Sequence, residues 1–162
     1  MAGHSGPGSS AVFSPDCKHI VSASYDHTAW IWNIATRECE AELTGHLGPV
    51  TSAFFSPADN YIVSASYEHT VQIWNIAIGE CEIELTGNSG PAMSAVFSLD
   101  GMHIVFASYN TAWIWNTATR ECEAELKGHS DRIMSAVFSY DSIHIVTASV
   151  DCTACIWSTV LF

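Results

Sequence analysis

The sequence is poor in positive charge. Only 5 of its 162 residues are lysine or arginine, against 17 aspartates and glutamates, so the formal net charge is -12. An acidic surface repels the phosphates of nucleic acids and of anionic lipids. We therefore expect neither nucleic acid nor a membrane among the partners of this chain.

Long apolar runs are also missing. No stretch approaches the roughly 18 uninterrupted apolar residues of a membrane-spanning helix. The first ten residues, MAGHSGPGSS, lack the basic and apolar regions of a secretory signal. Hydrophobic residues make up 48% of the chain and charged residues only 14%, a balance typical of a packed core. We expect a soluble, cytoplasmic protein.

Helical periodicity is a third absence. Apolar residues recur at a spacing of two in short runs such as SAVFS, HIVSAS and TAWIWN, which are separated by loop signals such as SPDCK and YDHT. Residues 38–43 alternate between glutamate and small or apolar side chains, and residues 80–85 and 121–126 repeat the pattern. These three segments hold nine of the 17 acidic residues. They predict half-exposed outer strands with a solvated acidic rim, not a metal site.

The chain is an array of similar units. IVSASY occurs at 20–25 and 62–67, MSAVFS at 93–98 and 134–139, and ATRECEAEL at 35–43 and 118–126. The repeats cover about 3–44, 45–86, 87–127 and 128–162, and 1–162 is expected to be one repeat domain. Each unit predicts four strands, a to d. The fourth unit is too short for a full strand d.

The six cysteines follow the same repeat. Cys39, Cys81 and Cys122 are one position copied three times, so we expect small buried side chains and no disulfide frame. Cys152 and Cys155 have the C-x-x-C spacing of redox and zinc sites, but one pair supplies only half of a tetrahedral site. Both occupy positions that other repeats use for packing. We expect no metal and no cofactor.

Several motifs recur in phase: GH opens a unit, FSPD follows the first strand, SASYDHT ends the second, and IWN closes the third. In these features the chain resembles the WD-repeat β-propeller family over residues 3–162. The resemblance implies an all-β fold in which four-stranded antiparallel blades surround a central channel. It also implies a non-catalytic scaffold that binds protein or peptide partners.

The resemblance further implies a hydrogen-bonded cluster in each repeat. It links the histidine of GH, a serine or threonine of strand b, an acid in the b–c turn and a tryptophan of strand c. The positions are His4, Ser22, Asp26 and Trp32; His46, Ser64, Glu68 and Trp74; and His129, Thr147, Asp151 and Trp157. Glu68 is one methylene longer than the usual aspartate and less suited to the tight turn. The third cluster is expected to be broken, with Asn88, Phe106 and Asn110 around Trp115.

A serine, a histidine and an acid together are also the parts of a nucleophilic catalytic site. However, the set recurs in repeat after repeat, each time with an indole donor, as expected for buried polar groups that satisfy one another. We therefore predict a structural role. An enzyme with a site near the central channel is the less favoured alternative.

The resemblance places partner docking on the face that carries the d–a and b–c loops. Tyr25, Tyr67 and Tyr109 precede the turn acid there, and we predict them as anchors. Arg132, Trp30 and Trp113 are weaker candidates. The alternative is that each tyrosine only packs over its own turn.

Four repeats leave the question of how the blades close. An open row of blades would expose apolar faces at both ends, and we expect no segment before the first unit that could complete the fourth blade. A homodimer that forms an eight-bladed ring is favoured. A four-bladed monomer and a ligand-sensing or structural fragment of a larger signalling protein are the alternatives.

Overall fold

The computed structural model describes residues 3–86 and 90–159. In these residues the chain forms strands and turns only, so nothing described has the long apolar helix needed to cross a membrane. The strands are β1 (Gly8–Phe13), β2 (His19–Ser24), β3 (Thr28–Asn33), β4 (Cys39–Thr44), β5 (Val50–Phe55), β6 (Tyr61–Ser66), β7 (Val71–Asn75), β8 (Glu80–Leu85), β9 (Ala92–Phe97), β10 (His103–Ser108), β11 (Thr111–Asn116), β12 (Cys122–Lys127), β13 (Ile133–Phe138), β14 (His144–Ser149) and β15 (Ala154–Ser158).

The strands form four antiparallel sheets in chain order. Sheet 1 contains β1–β4, sheet 2 β5–β8 and sheet 3 β9–β12, and within each sheet consecutive strands are neighbours. Sheet 4 contains β13, β14 and β15 and has no fourth strand among the described residues. The predicted all-β class is confirmed, and the described residues of the last blade contain three of the four strands.

The turn between the second and third strands depends on one left-handed residue. His27, His69 and Cys152 hold equivalent positions there, with φ of 75°, 73° and 68°. The turn of sheet 3 is one residue shorter: Ser108 pairs directly with Thr111. This shorter turn gives sheet 3 a different loop geometry from the other sheets.

Each first strand carries a β-bulge at the same position. The pairing of β1 with β2 skips Ser9, and that of β5 with β6 skips Thr51. The same irregularity skips Met93 in β9 and Met134 in β13. A bulge turns the extra side chain away from the regular alternation, so these four residues lie outside the core pattern.

The sheets stack face to face, each on the next. We call the leading face of a sheet the one that packs on the following sheet, and the trailing face its opposite. In sheet 1 the leading face carries a valine, two alanines and an isoleucine, which pack on Val50, Ala53, Ile62 and Trp74 of sheet 2. The equivalent sets join sheet 2 to sheet 3 and sheet 3 to sheet 4. The core is therefore three copies of one interface.

The two outermost faces are exposed. On the leading face of sheet 4, Val146 and Ile156 are 41% and 77% exposed, whereas Val21 and Ile31 at the same repeat positions are 0% and 3% exposed. On the trailing face of sheet 1, Ala11 is exposed and Ile20 is half-buried. Both faces thus expose residues at positions that are buried in the other sheets.

The prediction that Cys39, Cys81 and Cys122 are buried is wrong: all three are exposed. They lie in β4, β8 and β12, the outer strands, which are covered by a neighbour on one edge only. Their position coincides with a register shift opposite the tryptophan of the third strand, which interrupts the expected alternation. All six cysteines are free thiols in the structure.

Candidate functional site

A buried cluster of polar side chains surrounds His46 in sheet 2. The imidazole Nε2 lies 2.7 Å from Ser64 Oγ, and Nδ1 lies 2.6 Å from Glu68 Oε1. The indole Nε1–H of Trp74 donates to Ser64 Oγ over 2.8 Å. Four side chains from the loop before β5, the strand β6, the turn and the strand β7 therefore meet at one point.

The donors and acceptors fix the direction of every bond in this cluster. The ionised Glu68 can only accept, so a neutral His46 carries its hydrogen on Nδ1 and donates it to Glu68. The Nε2 atom of His46 then accepts the Ser64 hydroxyl hydrogen, and the same hydroxyl accepts the Trp74 indole N–H. A neutral histidine in this one tautomer satisfies all four groups.

The pKa values agree with this assignment. Burial, which outweighs the attraction of Glu68, lowers the pKa of His46 and keeps the ring neutral. For Glu68, burial acts to raise the pKa, but hydrogen bonds from His46, the Leu47 amide and Thr70 outweigh it and lower the pKa overall. The histidine is thus neutral and the carboxylate ionised.

Sheets 1 and 4 contain the same cluster. His4 contacts Ser22 and Asp26 at 2.8 and 2.9 Å, and Trp32 donates to Ser22 at 2.8 Å. In sheet 4 the corresponding distances are 2.8 Å from His129 to Thr147, 2.8 Å from His129 to Asp151 and 2.9 Å from Trp157 to Thr147.

Glu68 fits the turn better than its length suggested. Its two oxygens reach His46 and the Leu47 amide, as the aspartates of sheets 1 and 4 reach their histidines and the next amides. One bond differs. Asp26 and Asp151 also accept the amide of the residue two positions on, at 3.1 and 2.9 Å. The longer Glu68 lacks this amide bond and keeps only the one from the Thr70 hydroxyl, at 2.9 Å, which the two aspartates also accept from Thr28 and Thr153.

Sheet 3 has lost the cluster. Phe106 occupies the serine position, is buried, and stacks on Trp113 with ring centroids 6.4 Å apart. Within the described part of the chain, the indole Nε1 atoms of Trp113 and Trp115 are buried without a partner. Asn88 lies outside the described residues. The sheet replaces a polar network with aromatic packing.

The clusters link a hydroxyl, a histidine and an acid in the same sequence as a catalytic triad, but in sheets 2 and 4 the hydroxyl is inaccessible. Ser64 and Thr147 are fully buried, so a substrate carbonyl has no approach to their hydroxyl oxygens. Each hydroxyl also accepts an indole N–H, as expected for a buried hydrogen-bond network. These geometries fit a structural role.

A second candidate site is an open groove beside the bulged first strands. It has a volume of about 480 Å³ and is lined mainly by Pro7, Tyr25, Tyr67, Met93 and Met134. The rings of Tyr25 and Tyr67 meet edge to face, with centroids 6.0 Å apart. Hydrogen bonding to Tyr67 raises the pKa of Tyr25, so the phenol stays neutral. The surface is apolar with hydroxyl groups at its rim.

The groove brings together only part of the predicted anchor set. Tyr109 is exposed but does not line the groove: in the shorter turn of sheet 3 it takes the left-handed conformation itself, with φ of 51°. Arg132 is exposed in the loop before β13. Trp30 stacks on Trp32 in the His4 cluster, and Trp113 packs on Phe106. None of these four residues lines the groove.

Met93 and Met134 are groove residues that the sequence reasoning missed. They share a repeat position with Ser9 and Thr51, whose hydroxyls bond to the next sheet at Val50 O and Ala92 O. The sequence did carry a signal for these groove residues: at this repeat position the first two repeats have a polar residue and the last two have methionine. Methionine is a flexible, polarisable side chain that suits adaptable binding surfaces.

Two histidines outside the clusters form local pairs with glutamates. His19 and His103 contact Glu40 and Glu123 at 3.1 and 3.0 Å, at the outer strands of sheets 1 and 3. Cys152 is exposed and Cys155 half-buried. Over residues 3–86 and 90–159, histidines, cysteines and acids nowhere gather in a group of three that could hold a metal ion.

Comparison with known proteins gives one family. The model of the WD domain, G-beta repeat, matches residues 1–33, 37–75 and 120–158, which is more than half of the chain. The gap from 76 to 119 contains β9–β11 of sheet 3, the sheet whose cluster is lost. Comparison with the curated proteins finds no significant match.

Proposed function

The chain belongs to the WD-repeat family, and from this premise we propose that it is a non-catalytic scaffold whose partner docks in the Tyr25–Tyr67 groove. WD repeats in general indicate a protein-interaction role, and proteins built from them are generally non-catalytic. The specific proposal is that an apolar side chain of a protein or peptide enters the groove. We further propose that the chain works in the cytoplasm, without nucleic acid, membrane or cofactor.

The observation that carries the docking proposal is the composition of the groove. Tyr25 and Tyr67 provide large, rigid contact area with a hydroxyl each, and Met93 and Met134 can adapt to different side chains. Hydrophobic area of this kind on a monomer surface is typical of interaction sites. Tyr109 and Arg132 lie outside the groove and serve in this proposal as rim contacts.

The docking proposal is tested by affinity capture with two matched variants. Tyr25→Ala with Tyr67→Ala removes the groove walls, whereas Tyr140→Ala removes an equally bulky but distant tyrosine that is 93% exposed. A genuine partner is captured by the wild type and by Tyr140→Ala, and is lost from the double variant at an unchanged melting temperature. A partner that survives the double substitution, in direct binding with purified protein, contradicts the proposal.

We also propose that two copies of the chain close one eight-bladed ring. The exposed leading face of sheet 4 carries Val146, Ala148, Ala154 and Ile156. These are the residue types that sheets 1 to 3 bury against the next sheet, apart from Val71 in place of one alanine. A trailing face of sheet 1 from a second copy would repeat the internal interface, and two such junctions would close a ring.

A hydrogen bond supports the same pairing. At each internal interface a serine Oγ of one sheet accepts the amide of an alanine in the next: Ser10 from Ala53, Ser52 from Ala95 and Ser94 from Ala136, at 3.2, 3.2 and 3.1 Å. The next pair in this series is Ser135 of sheet 4 and Ala11 of sheet 1. Both residues are exposed.

A charge placed on the proposed junction tests it. Ile156→Glu should separate the two copies, because the glutamate would be buried against Ile20 and Trp32 of the second copy. Ile78→Glu, at an isoleucine that is 59% exposed in the turn after β7, is the matched control and should leave the assembly intact. Sedimentation velocity measures the outcome. Identical sedimentation of the two variants would refute the junction.

A further inference from the structure

The open edge of β15 is the strongest unassigned feature of the molecule. In sheets 1 to 3 the third strand is covered by a fourth strand, whereas β15 has a neighbour only on its β14 side in the described residues. β15 reads ACIWS and carries neither a charge nor a proline. Exposed edge strands are normally guarded by such residues, because an open edge pairs with other chains.

The chain itself shows what covers this edge. β4, β8 and β12 place a leucine opposite the second position of the third strand, at the pairs Ala29 with Leu43, Val71 with Leu85 and Ala112 with Leu126. All three leucines are buried. An alanine or isoleucine stands two residues before each leucine. Glutamates alternate with these residues, so they lie on the opposite face of the strand.

The backbone of β15 is oriented to accept such a strand. The amides of Asn33 and Asn116 donate to Glu38 O and Glu121 O at the start of the outer strand. Amide directions alternate along a strand, so the amide of Ile31, two residues before Asn33, also faces the outer strand. Ile156 and Ala154 hold the matching positions in β15. Their amides and carbonyls therefore face the open edge.

We propose that the edge of β15 binds an extended segment of a partner protein by strand addition. The segment carries a leucine and small residues on its inner face and glutamates on its outer face, as β4, β8 and β12 do. Its leucine lies against Ala154, its next inner residue against Ile156, and one glutamate opposite Cys155. Main-chain hydrogen bonds supply the pairing, and the side-chain alternation sets the register. The proposal is separate from the groove and holds with or without ring closure.

The register makes a charge test possible at Cys155. Its counterparts Trp30, Gln72 and Trp113 each lie opposite a glutamate of the fourth strand, and Gln72 Nε2 donates to Glu84 Oε2 over 2.9 Å. An opposite charge directly across from a glutamate should raise the affinity by up to about fivefold, and a like charge should lower it by a similar factor. Because Cys155 is half-buried at the edge, a longer side chain has room to extend into solvent.

The experiment uses a labelled peptide with the sequence of residues 37–45, its cysteine changed to serine, titrated into the full chain and followed by fluorescence anisotropy. Saturable binding is expected. Replacing the peptide leucine by aspartate should weaken binding about tenfold or more, because a charge would enter an apolar position. Cys155→Lys should tighten and Cys155→Glu should weaken binding, and a peptide with lysine at the Glu42 position should reverse that order.

Hydrogen exchange locates the peptide independently. The amides of Ala154 and Ile156 should exchange more slowly when the peptide is bound. The proposal is overturned by a lack of saturable binding, by equal binding of the leucine and aspartate peptides, or by an unchanged order with the lysine peptide. It is also overturned if protection of the Ala154 and Ile156 amides rises with protein concentration in a Val146→Glu chain, whose ring junction is blocked, since that result would mean that two β15 edges pair with each other. Loss of groove binding or of ring assembly would leave all these readouts intact.

Discussion

The buried hydroxyl of Ser64 provides the sharpest test of the structural role assigned to the histidine clusters. Ser64→Ala removes one oxygen that is bonded to His46 Nε2 at 2.7 Å and to Trp74 Nε1 at 2.8 Å. Ser64, His46 and Trp74 are all buried. The substitution therefore leaves two polar groups without a partner and without access to water.

The expected magnitude follows from the two orphaned groups. Each buried group that loses its only partner costs about 1–3 kcal/mol, so Ser64→Ala should lower the free energy of unfolding by about 3 kcal/mol. For a domain of this size, a loss of about 1 kcal/mol lowers the melting temperature by about 2–4 °C. Ser64→Ala should therefore melt about 6–12 °C below the wild type.

The same change in sheet 1 is the matched control. Ser22→Ala removes the same two bonds, but the His4 side chain is 14% exposed where that of His46 is 1% exposed. Water can replace part of what is lost there, so Ser22→Ala should cost less than Ser64→Ala. Urea unfolding monitored by tryptophan fluorescence measures both. If Ser64→Ala were within about 0.5 kcal/mol of the exposed variant Ser5→Ala, the network would not stabilise the fold.

Three further predictions concern the same clusters. Phe106→Ser restores a hydroxyl to sheet 3 but empties a buried ring position, so it should destabilise by about 3 kcal/mol or more in urea unfolding; a gain would contradict the aromatic replacement. Glu68→Asp should stabilise by about 1 kcal/mol, measured in the same way, because the shorter acid can accept the Thr70 amide; a loss would contradict this account of the turn. The folded-state pKa values of His46 and Glu68 lie below the ordinary 6.5 and 4.5, so the unfolded chain binds protons more readily. The urea midpoint should therefore fall as the pH drops below about 6.5 and fall again below about 4.5. A midpoint that is constant or rises toward acid pH would refute this.

Most of the fold could be predicted from the repeat pattern. Alternation at a spacing of two set the strands, and the in-phase motifs set the four sheets and the short fourth one. The His46, His4 and His129 clusters were predictable because each member recurs at a fixed distance along the chain. The exposure of the three repeated cysteines was not predictable, because a register shift in an outer strand leaves no mark on the sequence.

The groove shows where prediction from sequence fell short. Tyr25 and Tyr67 stand at equivalent repeat positions and do lie side by side, but Tyr109 at the same position does not join them. The loss of one turn residue changes its backbone conformation and hence the direction of its side chain. Met93 and Met134 were overlooked because a β-bulge, which no single residue type marks, turns them into the groove.

The mass of the wild-type chain in solution tests the central claim most directly. In the proposed ring, the interface of leading face on trailing face that joins each blade to the next also joins two copies of the chain. Multi-angle light scattering should then give twice the chain mass of 17.6 kDa. A single species of 17.6 kDa, with Val146 and Ile156 still exposed, would contradict it.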